Sequence, residues 1–201
     1  MGGWRVGYGI LPNSKIGRDI GTTLLAYASE CWSAASVPVQ MAATVALQRS
    51  PPMEEYREAA TSLHRQVTLR LYNALCSFGL DVAEPQGGFY IYPSFNPFAA
   101  QLRQLGVHTS MDLCKWLIEN WSIFTLPGSA HGENDEGVVG GRLRLKVATS
   151  CLYFSDEKER YRDGYELLLR AHQSDSISLP LLDEAIEAIG AAIEQIRTIA
   201  T

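Results

Sequence analysis

The sequence has few cysteines and histidines, and their spacing argues against a metal site. The four histidines form neither an H-x-x-x-H nor an H-E-x-x-H pattern, and the cysteines form no C-x-x-C pair. Structural zinc sites and zinc proteases use such closely spaced ligands. We therefore expect no metal ligands, and we expect free, buried thiols in a reducing, cytoplasmic compartment. These thiols are Cys31, Cys76, Cys114 and Cys151.

Long apolar runs and basic stripes are also missing. No stretch approaches the ~18 consecutive apolar residues of a membrane-spanning helix, and the first residues lack the regions of a signal peptide. The formal net charge is −5, with both signs scattered, so neither nucleic acid nor a membrane is an expected partner. Hydrophobic residues make up 46% of the 201, which predicts a globular chain of one domain or slightly more.

What the sequence does contain is a glycine-rich start, residues 1–12, which read M-G-G-W-R-V-G-Y-G-I-L-P. Glycines allow a tight turn or a close backbone approach to a ligand. Arg5 lies among them, and a guanidinium offers a rigid fork of donors that matches a phosphate. An ordinary arginine in a surface turn is the alternative interpretation of this residue.

Apolar residues recur every three or four positions in several segments, and this spacing predicts amphipathic helices. The longest begins near Ser50, and Gly79 is expected to end it. Thr109 and Asp112 have the spacing of a capping box. The helical segments are residues 16–31, 38–47, 51–78, 110–121, 155–169 and 182–196, and strands are expected at 6–11, within 80–93, at 123–128 and at 142–148.

The last of these strands alternates strictly between apolar and basic residues. Such alternation places one set of side chains on each face of a strand. The basic face carries Arg142, Arg144 and Lys146. An arginine fixed on a strand can bind a carboxylate through two parallel hydrogen bonds. Spacing alone does not choose among the three cations, and a solvated strand face is the alternative.

Four segments of the chain resemble one family. Residues 3–8 resemble its G-W-R-x-G-Y signature, and residues 36–47 are similar to the S-x-P-x-Q-x-A-A-x-x-A-L segment that follows. Residues 87–90 resemble its G-G-F-Y strand, and residues 141–148 resemble its G-x-x-R-[IL]-x-x-A segment. The family is the class I/II aminotransferases, which are fold-type I pyridoxal-phosphate enzymes.

The resemblance implies an α/β fold that corresponds to the C-terminal part of a family member. Residues 1–65 would be the end of the large cofactor-binding domain together with the start of a linking helix. Residues 66–201 would form the small α+β C-terminal domain. The exposed apolar surface that the remainder of the large domain would cover is expected to promote association.

The resemblance also implies roles for two arginines. Arg5 would hold the phosphate of pyridoxal 5'-phosphate, and Arg144 would hold the α-carboxylate of the amino-acid substrate. The family's Schiff-base lysine precedes the arginine signature and would lie upstream of Met1, whereas Lys15 follows the signature. We therefore assign no catalytic residue, and we expect the cofactor site in this chain to be incomplete.

The function implied is amino transfer between an amino acid and a 2-oxo acid, by a complete protein that forms a homodimer. Two alternatives remain open: a lyase or synthase of the same fold that uses the same cofactor, and a truncated, non-catalytic module for binding or dimerisation. Phe89 and Tyr90 would either line the mouth of the site or pack in the core, and the core is the favoured interpretation.

Overall fold

The computed structural model describes residues 5–135 and 142–200. It divides into two compact units, Met1–Glu55 and Tyr56–Thr201. The helices are α1 Lys15–Cys31, α2 Val37–Ala46, α3 Pro51–Ser77, α4 Ala99–Gln104, α5 Ser110–Trp121, α6 Glu157–Gln173 and α7 Pro180–Arg197. The strands are β1 Tyr90–Ile91, β2 Leu126–Pro127 and β3 Leu145–Ala148. The expected α/β class is confirmed.

The first unit is helical in its described part. Ser14 caps α1 by accepting a hydrogen bond from the backbone N–H of Gly17 at 3.1 Å, and Pro38 lies in the first turn of α2, where its missing N–H costs nothing. The strand expected at residues 6–11 is wrong, because this segment is irregular. A strand needs a hydrogen-bonded neighbour, and every strand in the described residues belongs to the second unit.

The apolar side chains of the first unit are exposed. Gly17 is the only buried residue among residues 5–55. The apolar stripe of α1, which includes Ile16, Ile20 and Leu24, faces solvent at 42–69% exposure. Helices α1 and α2 therefore have apolar faces with no core of their own in the described chain.

The second unit is organised around the long helix α3 and a small sheet. The sheet is antiparallel in the order β1–β3–β2, so β3 is central. The expected alternation along β3 is confirmed at its start: Leu143 and Leu145 are buried, while Arg144 and Lys146 are partly exposed. The last turn of α3 is followed by Gly79, whose φ of +84° is the left-handed conformation expected of a helix-ending glycine.

One continuous hydrophobic core fills the second unit. It takes buried side chains from α3, α5, α6, α7, β1 and β3. The capping box that starts α5 is confirmed, since Thr109 and Asp112 each accept a hydrogen bond from the other's backbone N–H. Helix α4 has only six residues, and its periodicity was too short to be recognised in the sequence. The core thus holds β3 in place, and β3 sets the position of the adjacent Arg144.

The division between Glu55 and Tyr56 falls inside α3, and the domain boundary after residue 65 stays a prediction. No helix in residues 5–135 or 142–200 is both long and apolar enough to cross a membrane. In the same residues, no three potential metal ligands come together.

The expectation that the cysteines are buried is wrong for three of the four. Cys31, Cys76 and Cys151 are exposed, and only Cys114 is partly buried. Burial raises the pKa of the Cys114 thiol, and its contact with the Thr125 hydroxyl at 3.3 Å opposes that rise. No disulfide links these thiols.

Candidate functional site

Arg144 lies immediately before β3, where backbone contacts on both sides fix its position. It forms an isolated antiparallel bridge with Ser94. Its carbonyl oxygen accepts a hydrogen bond of 2.8 Å from the N–H of Gly128. The side chain is 37% exposed, and its Nη1 lies 3.2 Å from Oε1 of Glu133. The guanidinium is thus held on the sheet, close to a carboxylate, with a substantial part of its surface open to solvent.

Glu133 comes from the loop that follows β2. The 3-10 helix Gly128–His131 follows directly after that strand. The N–H of Glu133 donates to the carbonyl of Gly128 at 3.2 Å. The Glu133 side chain is only 15% exposed. Its second oxygen, Oε2, is buried and has no hydrogen-bond partner among the described residues. One oxygen of this carboxylate therefore contacts Arg144, while the carboxylate also interacts with the Tyr92 hydroxyl and raises the pKa of that phenol.

Tyr92 completes the buried side of this cluster. Its hydroxyl is also buried without a hydrogen-bond partner among the described residues. Burial and then the Glu133 carboxylate raise the pKa of Tyr92, against the smaller opposing effect of the Arg144 charge. The phenol therefore stays neutral at physiological pH and adds no negative charge beside Arg144.

Gly128 is packed so closely against this cluster that a side chain there would have to displace its neighbours. A Cβ atom there would lie 2.9 Å from Tyr92 Oη and 3.0 Å from both the carbonyl oxygen of Arg144 and Oε2 of Glu133. Contacts this tight are rare for real Cβ atoms, and the backbone carbonyl of Arg144 has little freedom to move away. The close approach of the chain at Gly128 to Arg144 therefore favours glycine.

We predict that Gly128→Ala lowers the free energy of unfolding by about 1–3 kcal/mol, the usual cost of overpacking a tight site. Gly87→Ala is the matched control, because a Cβ at Gly87 meets no atom within 4 Å. Chemical denaturation of the two variants measures the difference. Equal stability of both would show that Gly128 is not under this steric constraint.

A second carboxylate fixes the far end of the same loop. Asp135 is buried and accepts hydrogen bonds from the backbone N–H of Ser110, at 2.6 Å, and from the Ser110 hydroxyl. The Ser110 hydroxyl in turn lies 3.2 Å from that of Ser129. This network attaches the loop that carries Glu133 to the N-terminus of α5.

The structure separates the three cations that strand spacing left equivalent. Arg142 is exposed. Lys146 places its ammonium 4.2 Å from the centre of the Tyr90 ring, beside a cavity of about 650 Å³. Among the described residues, only Arg144 of the three forms an ion pair with a carboxylate. Arg144 is thus the one of the three cations whose contacts resemble those of a carboxylate-binding residue.

The favoured interpretation of Phe89 and Tyr90 as core residues is wrong. Phe89 is partly buried and Tyr90 is 48% exposed. The Tyr90 ring packs against that of Phe89, with the ring centres 4.5 Å apart and the planes tilted by 45°, and it lines the same cavity as Lys146. The proposal that they line the mouth of a substrate site stays a prediction.

Arg5 lies in the irregular segment at the start of the described chain and is exposed. It has no ion-pair partner among the described residues, in contrast to Arg144. A free guanidinium on a glycine-rich segment is chemically suited to a phosphate. Arg5 belongs to the first compact unit and Arg144 to the second, and their convergence on one pocket stays a prediction.

Sequence reasoning missed Glu133, Asp135 and Tyr92. The two acids fall in a polar loop with no periodic pattern, and nothing in the sequence indicates which residues they contact. Tyr92 had a usable signal, because it is two residues from Tyr90 in a strand-like segment and so shares its face. The proximity of Tyr92 to the loop that carries Glu133 could be recognised only in the structure.

Comparison with known proteins decides the family. The sequence profile described as "Aminotransferase class I and II" matches residues 1–151. The chain belongs to the class I and II aminotransferases. The resemblance of the two arginine segments to this family is therefore confirmed, and pyridoxal phosphate is the cofactor that the family implies.

Individual relatives agree with this assignment. The chain is 33% identical over 153 residues to a probable N-acetyl-LL-diaminopimelate aminotransferase of Bacillus subtilis, covering 75% of this chain and 33% of that protein. It is 27% identical over 171 residues to a probable aspartate/prephenate aminotransferase of Aquifex aeolicus, covering 85% of this chain and 38% of that protein. The chain thus spans about a third of the length of these curated relatives.

A solved structure supports the fold. The aromatic aminotransferase of Pyrococcus horikoshii superposes on 86% of this chain with a TM-score of 0.51, at 18% sequence identity, and 35% of that chain is covered. At this identity the match concerns the fold alone. It shows that the chain has a fold also found in a solved aminotransferase.

Proposed function

We propose that this aminotransferase chain is the C-terminal part of an enzyme that transfers an amino group between an amino acid and a 2-oxo acid. The complete protein would act in the cytoplasm as a homodimer. In this chain, Arg144 would bind the substrate's α-carboxylate and Arg5 would bind the cofactor phosphate. No residue of the chain is assigned to the bond-making step.

The observation that carries this proposal is the contact between Arg144 and a carboxylate. The backbone of Arg144, immediately before β3, is held by the Gly128 hydrogen bond, and 37% of the side chain is exposed. The guanidinium already binds one carboxylate oxygen, that of Glu133, at 3.2 Å. An arginine keeps its charge at every physiological pH and matches the planar shape of a carboxylate. These properties support the binding of an α-carboxylate from solution.

Arg5 supports the cofactor part of the proposal because its guanidinium is exposed and forms no ion pair within residues 5–135 and 142–200. Bound pyridoxal phosphate would supply the electron sink that makes amino transfer possible. The contribution of Arg5 is limited to holding and orienting the phosphate through charge-assisted hydrogen bonds. Glycines at positions 7 and 9 have free space around them, which leaves room for a bulky anion along this segment.

The reaction class is tested with a full-length protein that carries this segment. We expect an amino acid to lose its amino group only when a 2-oxo acid is supplied, with the new amino acid formed in equal amount. The rival reaction, elimination by a lyase of the same fold, releases ammonia without any added 2-oxo acid. Ammonia release at the full rate in the absence of a 2-oxo acid would contradict the proposal.

A second candidate function is a non-catalytic association module, and the exposed apolar faces of α1 and α2 favour it. Contiguous exposed apolar surface commonly marks an interaction site. Sedimentation of the purified chain tests this candidate. Ile16→Glu, at a position 69% exposed on the apolar stripe of α1, should lower the average mass if the face drives association, whereas Tyr161→Glu on α6, at 78% exposure, should not. A monomer at every concentration would exclude this candidate.

A further inference from the structure

We propose that Glu133 is an internal carboxylate that shields Arg144 and competes with the substrate's carboxylate for its guanidinium. This inference rests on the proposed role of Arg144. It assigns Glu133 as a positioning and affinity-setting residue beside the substrate site.

The first step of the argument is that the backbone holds Glu133 in place. On its N-terminal side, Gly128 donates to the carbonyl of Arg144 at 2.8 Å, and Glu133 itself donates to the carbonyl of Gly128 at 3.2 Å. On its C-terminal side, buried Asp135 is bonded to the N-terminus of α5 through Ser110. The described segment from Gly128 to Asp135 is thus held on both sides of Glu133, which delivers the carboxylate to Arg144 at a small entropic cost, since little freedom remains to be lost.

The second step is that the pairing is incomplete. A full arginine–carboxylate pair uses two parallel N–H···O bonds. Here only Oε1 of Glu133 contacts Arg144, at 3.2 Å, while Oε2 is buried and makes no hydrogen bond to the guanidinium. A single contact of this kind is weaker than a two-bond contact. An incoming carboxylate that forms both bonds therefore has an advantage over the internal one.

The third step concerns charge. Glu133 cancels much of the local positive charge of Arg144, because its side chain is only 15% exposed and solvent screens it little. The Tyr92 phenol adds no charge, because burial and the Glu133 carboxylate raise its pKa, with a smaller contribution from Asp135. Among the described residues, Glu133 is the carboxylate in ion-pair contact with Arg144. Removing the charge of Glu133 should therefore increase the affinity of Arg144 for an external carboxylate.

The test uses the purified 201-residue chain and measures how fast phenylglyoxal modifies Arg144, with peptide mass spectrometry to separate Arg144 from Arg142. Acetate, at rising concentration, is the competing carboxylate, and chloride controls for ionic strength. Glu133→Gln removes the charge and keeps the shape. Glu157→Gln is the matched control, because Glu157 also pairs with an arginine, Arg160, at 3.2 Å, but on the exposed surface of α6. Thermal unfolding confirms that each variant is folded.

We expect E133Q to speed modification of Arg144 by about two- to fivefold, the range of a partly exposed ion pair, and E157Q to leave it unchanged. Acetate should protect Arg144 at a correspondingly lower concentration in E133Q than in the unsubstituted chain. An unchanged rate in E133Q, with protection by acetate in both proteins, would overturn the inference and leave the carboxylate site intact. A faster rate without protection by acetate would uphold shielding by Glu133 and overturn the proposed role of Arg144.

Discussion

Arg144→Ala is expected to lower kcat/KM for amino-acid substrates by about 10- to 100-fold in a full-length aminotransferase that carries this segment. The loss of a charged hydrogen-bonding partner costs about 1.5–3 kcal/mol, and each 1.36 kcal/mol corresponds to a factor of ten. The cofactor should remain bound, because Arg144 is proposed to contact the substrate and not the cofactor. Steady-state kinetics and the absorbance of the bound cofactor measure the two effects separately.

Arg142→Ala is the matched control for this substitution. Arg142 is an arginine of the same predicted strand face, two residues earlier, and it is exposed. Its removal should change kcat/KM by less than about threefold, as expected for a solvated surface charge. Equal kinetics for the Arg144 and Arg142 variants would remove Arg144 from the substrate site.

The second large effect concerns the strand that positions Arg144. Leu145→Ala should lower the free energy of unfolding of the second unit by about 2–5 kcal/mol, the usual range for a buried leucine. Leu145 is 0% exposed and borders the same small internal space as Leu75, Phe95 and Leu117. Truncation would leave a cavity that neighbouring core residues on α3 and α5 fill only in part. Chemical denaturation of the purified chain provides the measurement.

Leu126→Ala makes the identical chemical change on the paired strand β2, where Leu126 is 43% exposed. This control should cost less than about 1 kcal/mol, because a side chain that is partly in water gains less from burial. If both variants lost the same stability, burial on β3 would not explain the role of Leu145. A large loss confined to Leu145 would show that the core fixes the strand beside Arg144.

Local chemistry made much of the fold predictable. The apolar spacing of α3 and α7 and the capping box at Thr109 are short-range signals, and each matches the structure. The strict alternation along residues 142–148 also identified which side chains of β3 face the core. Motif resemblance identified the family, and the profile match over residues 1–151 confirmed it.

Errors arose where the outcome depended on partners distant in sequence. Residues 6–11 have the apolar content of a strand, but the described part of their unit, residues 5–55, offers no strand partner, and they are irregular. Cysteine is usually buried, yet Cys31, Cys76 and Cys151 lie on exposed surfaces of this chain. Burial is a property of the whole fold, and residue type predicts it only on average.

The candidate site shows the same difference between local signals, which the sequence carries, and long-range contacts, which it does not. Arg144 was identified by its motif, whereas its contact with Glu133 spans a loop and depends on the tight approach of Gly128. Nothing in the spacing of the acids in residues 133–135 distinguishes Glu133, which faces Arg144, from Asp135, which binds the N-terminus of α5. Side-chain direction in an irregular loop is set by tertiary contacts, and the sequence carries no periodic signal for it.

The most direct test of the proposed site is calorimetric binding of two ligands to the full-length apoprotein that carries this segment. One ligand is pyridoxal phosphate, and the other is a stable conjugate that joins it to an amino acid through a reduced C–N bond. Arg5→Ala should weaken both ligands, because both carry the phosphate, whereas Arg144→Ala should weaken only the conjugate, which also carries the α-carboxylate. Unchanged affinity of the conjugate for the Arg144 variant, or of pyridoxal phosphate for the Arg5 variant, would contradict the assignment of these two arginines to one aminotransferase site.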